Sequence, residues 1–241
     1  MGPLDVYTRC AVCSETFAPR ALDSHIVQCL VRRTAASSRP PVDTFHLAVS
    51  GESPPTGATY WIHVLARAGA TLFDLDGFLR RTWLEPCCGH LSAFESGAIR
   101  FEPYPDDEYG PPAEDMRTYR LGDVLVPGKK YAYEYDFGST THLEVRVIAR
   151  PKVAVKGRAR FELLARNPPP ALACGACGEA ATRVCTVGCD APEALACAAC
   201  AADHACGEDM LTTIVNSPRT GTCGYPTEPL EGASGGWVAA R

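Results

Sequence analysis

Hydrophobic and polar residues alternate along several short stretches in the middle of the chain. This period of two is typical of strands with one buried face. The first two stretches run from Leu47 to Val49 and from Tyr60 to Leu65. The turn sequence Pro-Pro-Thr-Gly at residues 54–57 separates them, so the two stretches are expected to form antiparallel neighbours.

A second group of alternating residues follows further along the chain. From Lys130 to Phe137 the aromatic residues fall on one face and the acidic residues on the other. A turn at residues 138–140 leads to a return strand in which Leu143, Val145 and Val147 share a face, and residues 158–165 provide a third strand. The pattern predicts an antiparallel sheet.

A helix is predicted between these two groups of strands. Thr71 with Asp74 three residues later is a helix N-cap signature, and Leu72, Leu75 and Leu79 recur at helical spacing. Pro86 is expected to end the helix, whose apolar face would cover the aromatic face of the sheet. The central fold class is therefore α+β. The acidic, proline-rich segment 102–116 is expected to be a solvated loop.

The cysteines divide the chain into modules. Three of the 13 lie in the first 30 residues, two stand in the middle, and eight fall between Cys174 and Cys223. Proline-containing linkers at residues 35–41 and 167–170 separate the groups. We expect a zinc finger at 1–34, an α+β domain at 42–166, a cysteine-rich module at 171–226 and a flexible tail at 227–241.

Composition places the chain among ordinary globular proteins with metal sites. Hydrophobic residues make up 46%, charged residues 21%, and the net charge is −5, which argues against a basic nucleic-acid coat. No apolar run reaches the roughly 18 residues of a membrane helix. The cysteine count is odd and includes several C-x-x-C pairs, and no signal-peptide pattern follows Met1. These features indicate metal binding in a reducing compartment, so a cytoplasmic location is expected.

The N-terminal cysteines and a histidine have the spacing of a zinc finger. Cys10 and Cys13 form a C-x-x-C knuckle, and His25 and Cys29 follow four residues apart, on one side of a predicted helix. Phe17 and Leu22 would supply its small core. The segment resembles the C2HC zinc-finger family, and its spacing is similar to that of the ubiquitin-binding fingers of DNA-repair proteins. The resemblance implies one bound zinc ion.

The C-terminal module offers eight ligands for two further zinc ions, which brings the expected total to about three per chain. The four ligand pairs can bind zinc sequentially, or as a cross-brace in which alternate pairs share one ion. The order of the ligand pairs resembles that of the B-box and MYND interaction modules. Because His204 and Cys206 lie close in sequence, Cys223 is an alternative eighth ligand. The candidate ligands are Cys174, Cys177, Cys185, Cys189, Cys197, Cys200, His204, Cys206 and Cys223.

Several blocks of the central and C-terminal regions resemble the plasmid pRiA4b ORF-3-like family. They are YWIHV at 60–64, LDGFL at 75–79, CGHLSAF at 88–94, YEYDFG at 133–138 and NSPRTGTCGY at 216–225. The resemblance covers residues 42–226. It implies an α+β fold and an association with plasmids and mobile elements, but no established reaction.

Three functions remain open on these grounds. The leading hypothesis is a non-catalytic zinc-binding adaptor with a macromolecular partner, a protein before a nucleic acid because Lys and Arg are not clustered. The first alternative is a DNA- or RNA-binding accessory protein of a mobile element, with the zinc fingers as contact points. The face formed by Tyr131, Tyr133 and Tyr135 could also stack on bases. The second is an enzyme with a nucleophilic site built from Cys87 or Cys88, His90, Asp136 and His142.

Overall fold

The computed structural model describes residues 7–85, 89–105, 112–223 and 225. The tail expected at 227–241 lies outside these residues, as do Cys87 and Cys88. The elements in chain order are β1 (Thr8–Arg9), β2 (Thr16–Phe17), α1 (Pro19–Ala35), β3 (Val42–Ser53), β4 (Ala58–Arg67), α2 (Leu72–Trp83), β5 (Ser92–Ser96), β6 (Ile99–Glu102), β7 (Glu114–Asp115), α3 (Leu121–Val124), β8 (Lys130–Tyr135), β9 (Thr141–Ala149), β10 (Lys152–Val153), β11 (Phe161–Arg166), β12 (Arg183–Cys185), β13 (Leu195–Ala196), a 3₁₀ turn (Glu208–Met210) and β14 (Leu211–Thr213).

A nine-stranded sheet forms the centre of the described chain. Its order is β11-β4-β3-β9-β8-β5-β6-β7, and β10 pairs with the end of β3. All pairings are antiparallel except that of β6 with β7. The β3–β4 hairpin turns at Gly57, whose φ of 64° lies in the left-handed region that glycine adopts without steric cost. Within the segment expected to be a loop, Glu114–Asp115 instead pairs with β6 as a short strand.

One face of the sheet packs against α2 and forms the main core. The helix begins with a capping box in which the side chains of Thr71 and Asp74 each accept a hydrogen bond from the other's backbone N–H. Leu75, Leu79 and Trp83 are buried against alternate residues of the strands. Tyr131, Tyr133 and Tyr135 lie in the same core, which confirms that the helix covers this face. The predicted α+β class, with metal-binding clusters at both ends, is confirmed.

The N-terminal finger packs on the opposite face of the sheet. Leu22, Ile26 and Leu30 of α1 share a buried cluster with Leu65 of β4 and Leu164 of β11. The backbone N–H of Ala11 also donates to the carbonyl oxygen of Leu164 at 2.8 Å. The finger therefore gains stability from packing on the sheet, which a segment this short needs because its own core is small.

The segment that follows β14 returns to the central sheet. The indole N–H of Trp83 donates to the carbonyl oxygen of Asn216 at 3.1 Å, and the Ser53 hydroxyl donates to that of Thr220 at 3.0 Å. Ser217, Arg219 and Thr220 are almost fully buried. Residues 216–220 are thus built into the central core, although the sequence places them within the cysteine-rich module expected at 171–226.

The cysteine-rich module has a three-stranded sheet in the order β13-β12-β14 and a small apolar cluster around Val184 and Leu195. So small a core gives little stability by itself. None of the helices described is both long and apolar enough to cross a membrane.

Candidate metal centres and a buried ion-pair site

The N-terminal ligands converge between a short hairpin and a helix. The turn between β1 and β2 presents Cys10 and Cys13, and α1 presents His25 and Cys29. The four ligand atoms lie within 4.8 Å of one another. The Sγ of Cys13 is 3.3 Å from Nε2 of His25, and the His25 ring stacks on Phe17 with centroids 3.6 Å apart. Burial raises the pKa of the Cys10 thiol to about 11, so the thiolate form needs a cation beside it.

The first C-terminal cluster joins two C-x-x-C pairs that are distant in sequence. Cys174 and Cys177 lie beside Cys197 and Cys200, again within 4.8 Å, and the Sγ atoms of Cys177 and Cys197 are 3.6 Å apart. Hydrogen bonds from the backbone N–H groups of Cys197 and Cys177 lower the pKa of Cys174 to about 6. These amides favour the thiolate that a metal requires.

The second C-terminal cluster contains Cys185, Cys189 and His204. The Sγ of Cys206 is 3.3 Å from that of Cys189, while the Cys206 backbone N–H donates to Nδ1 of His204 at 3.2 Å. Alternate pairs therefore share a cluster, which is the cross-braced arrangement. The structure groups Cys206 with this cluster and Cys223 with a different one.

All cysteines in the described parts of the chain are free thiols. Sulfur and imidazole donors grouped in fours are the set that tetrahedral metal ions prefer, and the residues present fit such ions. The clusters at both ends of the chain can therefore hold metal.

A second kind of site lies where α2, β8 and the returning segment meet. Arg219, with 0% of its surface exposed, bridges two carboxylates: its Nη2 is 2.6 Å from Oδ2 of Asp136 and 3.1 Å from Oε2 of Glu85. Its Nη1 donates to the carbonyl oxygen of Ser139 at 2.7 Å. The guanidinium also lies over the Tyr135 ring, 4.9 Å from the centroid.

His90 lies between the two carboxylates. Its Nδ1 is 3.4 Å from Oδ1 of Asp136, and its Nε2 is 3.3 Å from Oε2 of Glu85. Asp136 has a φ of 63°, and its Oδ1 accepts a hydrogen bond from the Gly138 N–H at 3.1 Å. Burial opposes the charge on Asp136, but hydrogen bonds from Arg219 and the backbone N–H groups of Gly138 and Ser139 still hold its pKa below the ordinary value.

Of the nucleophilic site expected from the sequence, the structure brings together His90 and Asp136. His142 lies apart from them, with its side chain 71% exposed and its Nδ1 3.6 Å from Oε1 of Glu134. Cys87 and Cys88 fall outside the described residues. The tyrosine face cannot stack on bases, because its three rings are buried in the core.

Sequence reasoning missed two sets of buried polar residues. The first is the bridge from Arg219 to Glu85, which depends on the burial of residues 217–221 against the central domain. The second is a histidine pair at the finger–sheet junction, where Nε2 of His46 lies 2.9 Å from Nδ1 of His63. Both sets join residues on different strands or segments, so no pattern of consecutive residues predicts them.

Comparison with known proteins adds little to this description. No protein-family model and no curated protein matches the chain. Among solved structures, the chain is similar to a protein of unknown function from Methanosarcina mazei Go1, with 19% identity and a TM-score of 0.44 over 52% of this chain and 69% of that chain. At this level of similarity, the comparison supports no conclusion about function.

Proposed function

We propose that this protein is a non-catalytic zinc-binding adaptor of the cytoplasm whose partner is another protein. In this proposal one zinc ion occupies each of the three Cys/His clusters at the ends of the chain. The resemblance to the pRiA4b ORF-3-like family suggests that it serves a plasmid or mobile element.

The observation that carries the proposal is the composition of the three clusters. In the finger and in the first C-terminal cluster, four protein ligand atoms lie within 4.8 Å of one another. In the second C-terminal cluster, Cys206 lies beside the three clustered residues as the fourth ligand. Four protein ligands leave no coordination position for a substrate, which is the pattern of structural zinc. Such ions stabilise small surfaces that bind partners rather than perform a reaction.

The surface of the central sheet favours a protein over a nucleic acid. On the face that carries the finger, an open cleft of about 550 Å³ is lined by Ser50, Gly51, Glu52, Thr59, Lys130, Tyr131, Ala132, His142, Leu143 and Glu144. Lys130 is paired there with Glu144 at 2.9 Å, and Arg100 nearby contacts Glu95 and Glu102. Phosphate binding needs uncompensated cations, whereas protein interfaces carry both signs.

A binding experiment with the full-length protein tests the proposal. The immobilised protein is used to capture partners from extract of its own cells, and the affinity of each purified partner is then measured. We expect Glu144→Lys in the cleft to weaken binding at least tenfold, because it reverses one charge of the surface. Glu208→Lys, an equal charge change on the exposed 3₁₀ turn of the tail module, is the control and should change the affinity less than twofold.

Other outcomes would favour the alternatives. Retention of DNA or RNA that weakens steeply as salt rises, with no protein partner bound, would replace the proposal by a nucleic-acid-binding function. Rapid alkylation of Cys87 or Cys88 at neutral pH in zinc-loaded protein would instead favour the enzyme.

A further inference from the structure

We propose that His90, Asp136 and Cys223 form a fourth metal site, for a zinc-class divalent cation, within the central domain. Their ligand atoms all lie within 4.8 Å of one another. The site is separate from the finger and from the two clusters of the cysteine-rich module, and it goes beyond the adaptor function proposed above.

The spacing of the ligand atoms fits tetrahedral coordination. Bonds of about 2.0–2.3 Å to a tetrahedral zinc ion place neighbouring ligand atoms about 3.3–3.8 Å apart. Nδ1 of His90 and Oδ1 of Asp136 are 3.4 Å apart, which is longer than a good hydrogen bond. The same spacing recurs in the other clusters, at 3.3 Å between Cys13 and His25 and at 3.6 Å between Cys177 and Cys197.

The residues around these ligands form the outer shell that a metal-bound histidine requires. Nε2 of His90 is buried without a hydrogen-bond partner and lies 3.3 Å from Oε2 of Glu85, an oxygen that also faces Arg219. A metal ion on Nδ1 places the ring proton on Nε2, which then donates to Glu85. This carboxylate–histidine–metal arrangement is typical of protein zinc sites.

Arg219 orients the second ligand in the same way. Its guanidinium binds Oδ2 of Asp136 at 2.6 Å, which leaves Oδ1 directed towards His90. The Gly138 N–H, at 3.1 Å from Oδ1, holds the carboxylate in this orientation. Each carboxylate oxygen is thus held by a protein donor, and the oxygen that accepts from Gly138 also faces the imidazole.

The charge of the site also calls for a cation. Glu85 and Asp136 are 4% and 6% exposed, so two carboxylates are buried against the single guanidinium of Arg219. The two buried carboxylates and the guanidinium leave one uncompensated negative charge, and the thiolate of the exposed Cys223 would add a second. One divalent ion would bring these groups to neutrality.

The proposed ion connects three segments that are distant in sequence. His90 lies between α2 and β5, Asp136 directly follows β8, and Cys223 lies in the returning segment. Its role would be to hold that segment against the central domain, in addition to the buried contacts of Ser217 and Arg219.

Elemental analysis of full-length protein, produced with zinc under reducing conditions, tests the proposal. We expect four zinc ions per chain in the wild type and three in both His90→Ala and Cys223→Ser. The His90 variant distinguishes this site from a tail cluster completed by Cys223, since His90 belongs to no tail cluster. His142→Ala removes an exposed imidazole of the same domain that lies apart from the site and, as the matched control, should retain four.

Alkylation of Cys223, followed by mass spectrometry, provides a second readout that needs no variant to fold. In zinc-loaded wild type we expect Cys223 to be protected, and to react at least tenfold faster once a chelator is added. A folded His90→Ala protein with the wild-type zinc content would overturn the proposal. So would rapid alkylation of Cys223 in wild-type protein whose zinc content is three or fewer.

Discussion

Replacing Arg219 by methionine tests whether the buried guanidinium holds the returning segment in the core. Methionine has a similar length and fills part of the same space, but it carries no charge and donates no hydrogen bond. The substitution leaves Asp136 and Glu85 buried without their common partner. It also removes the hydrogen bonds to Ser139 and Thr141.

The expected loss of stability is large because the site is buried. Breaking a buried ion pair by removing one partner costs about 3–5 kcal/mol. For a chain of this size each kcal/mol lowers Tm by about 2–4 °C, so a decrease of about 6–20 °C is expected. Arg219→Lys keeps the charge but lacks the planar fork that bridges two carboxylates, and its loss should be intermediate.

Trp83 provides the signal for the measurement, since its indole is 1% exposed and donates to the neighbouring Asn216. Its fluorescence is followed during thermal and urea unfolding in zinc-containing buffer, in a background in which the other two tryptophans, Trp61 and Trp237, are replaced by phenylalanine. Arg150→Met is the matched control. It removes an arginine that pairs with Asp43 at 2.9 Å, but both side chains are about 40% exposed, so its loss should stay below about 1 kcal/mol.

If Arg219→Met were no less stable than Arg150→Met, burial of the guanidinium would not stabilise the fold, and the reasoning would be refuted. A variant that unfolds at lower urea but shows unchanged Trp83 emission in the folded state would agree with it.

Three further results are expected. Burial lowers the pKa of His46 to about 3 and that of His63 to about 4. The stability gained from keeping both histidines neutral is therefore fully present above their unfolded pKa of about 6.5 and is lost as pH falls, by about 1.4 kcal/mol per histidine at pH 5.5. In urea titrations, the free energy of unfolding of the double variant His46→Gln/His63→Gln should depend less on pH. Gly51→Ala should cost about 1–3 kcal/mol, because its Cβ would lie 2.5 Å from the Leu143 side chain, whereas Gly69→Ala, with open space around it, should be neutral in the same assay. Chelation should abolish amide-exchange protection across residues 174–213, while α1 keeps part of its protection because it shares a buried cluster with the central sheet and the tail cluster does not; equal loss in both would contradict this.

The elements that the sequence predicted well are those encoded by neighbouring residues. The capping signature of Thr71 and Asp74 and the alternation around Tyr133 depend on contacts within a few positions, and the structure confirms both. The metal-binding spacing of the finger is equally local, since a knuckle and one helix turn set the positions of all four ligands. The same is true of each C-x-x-C pair in the tail.

Tertiary structure alone decided which of these local units meet. Alternate pairs of the tail share a cluster, and the segment around Arg219 enters the central core, where Cys223 lies beside His90 and Asp136. The pairing of His46 with His63 follows from the register of β3 and β4 together with side-chain packing. The physical reason is that burial and charge compensation are properties of the assembled core, whereas periodicity and ligand spacing are properties of a few consecutive residues.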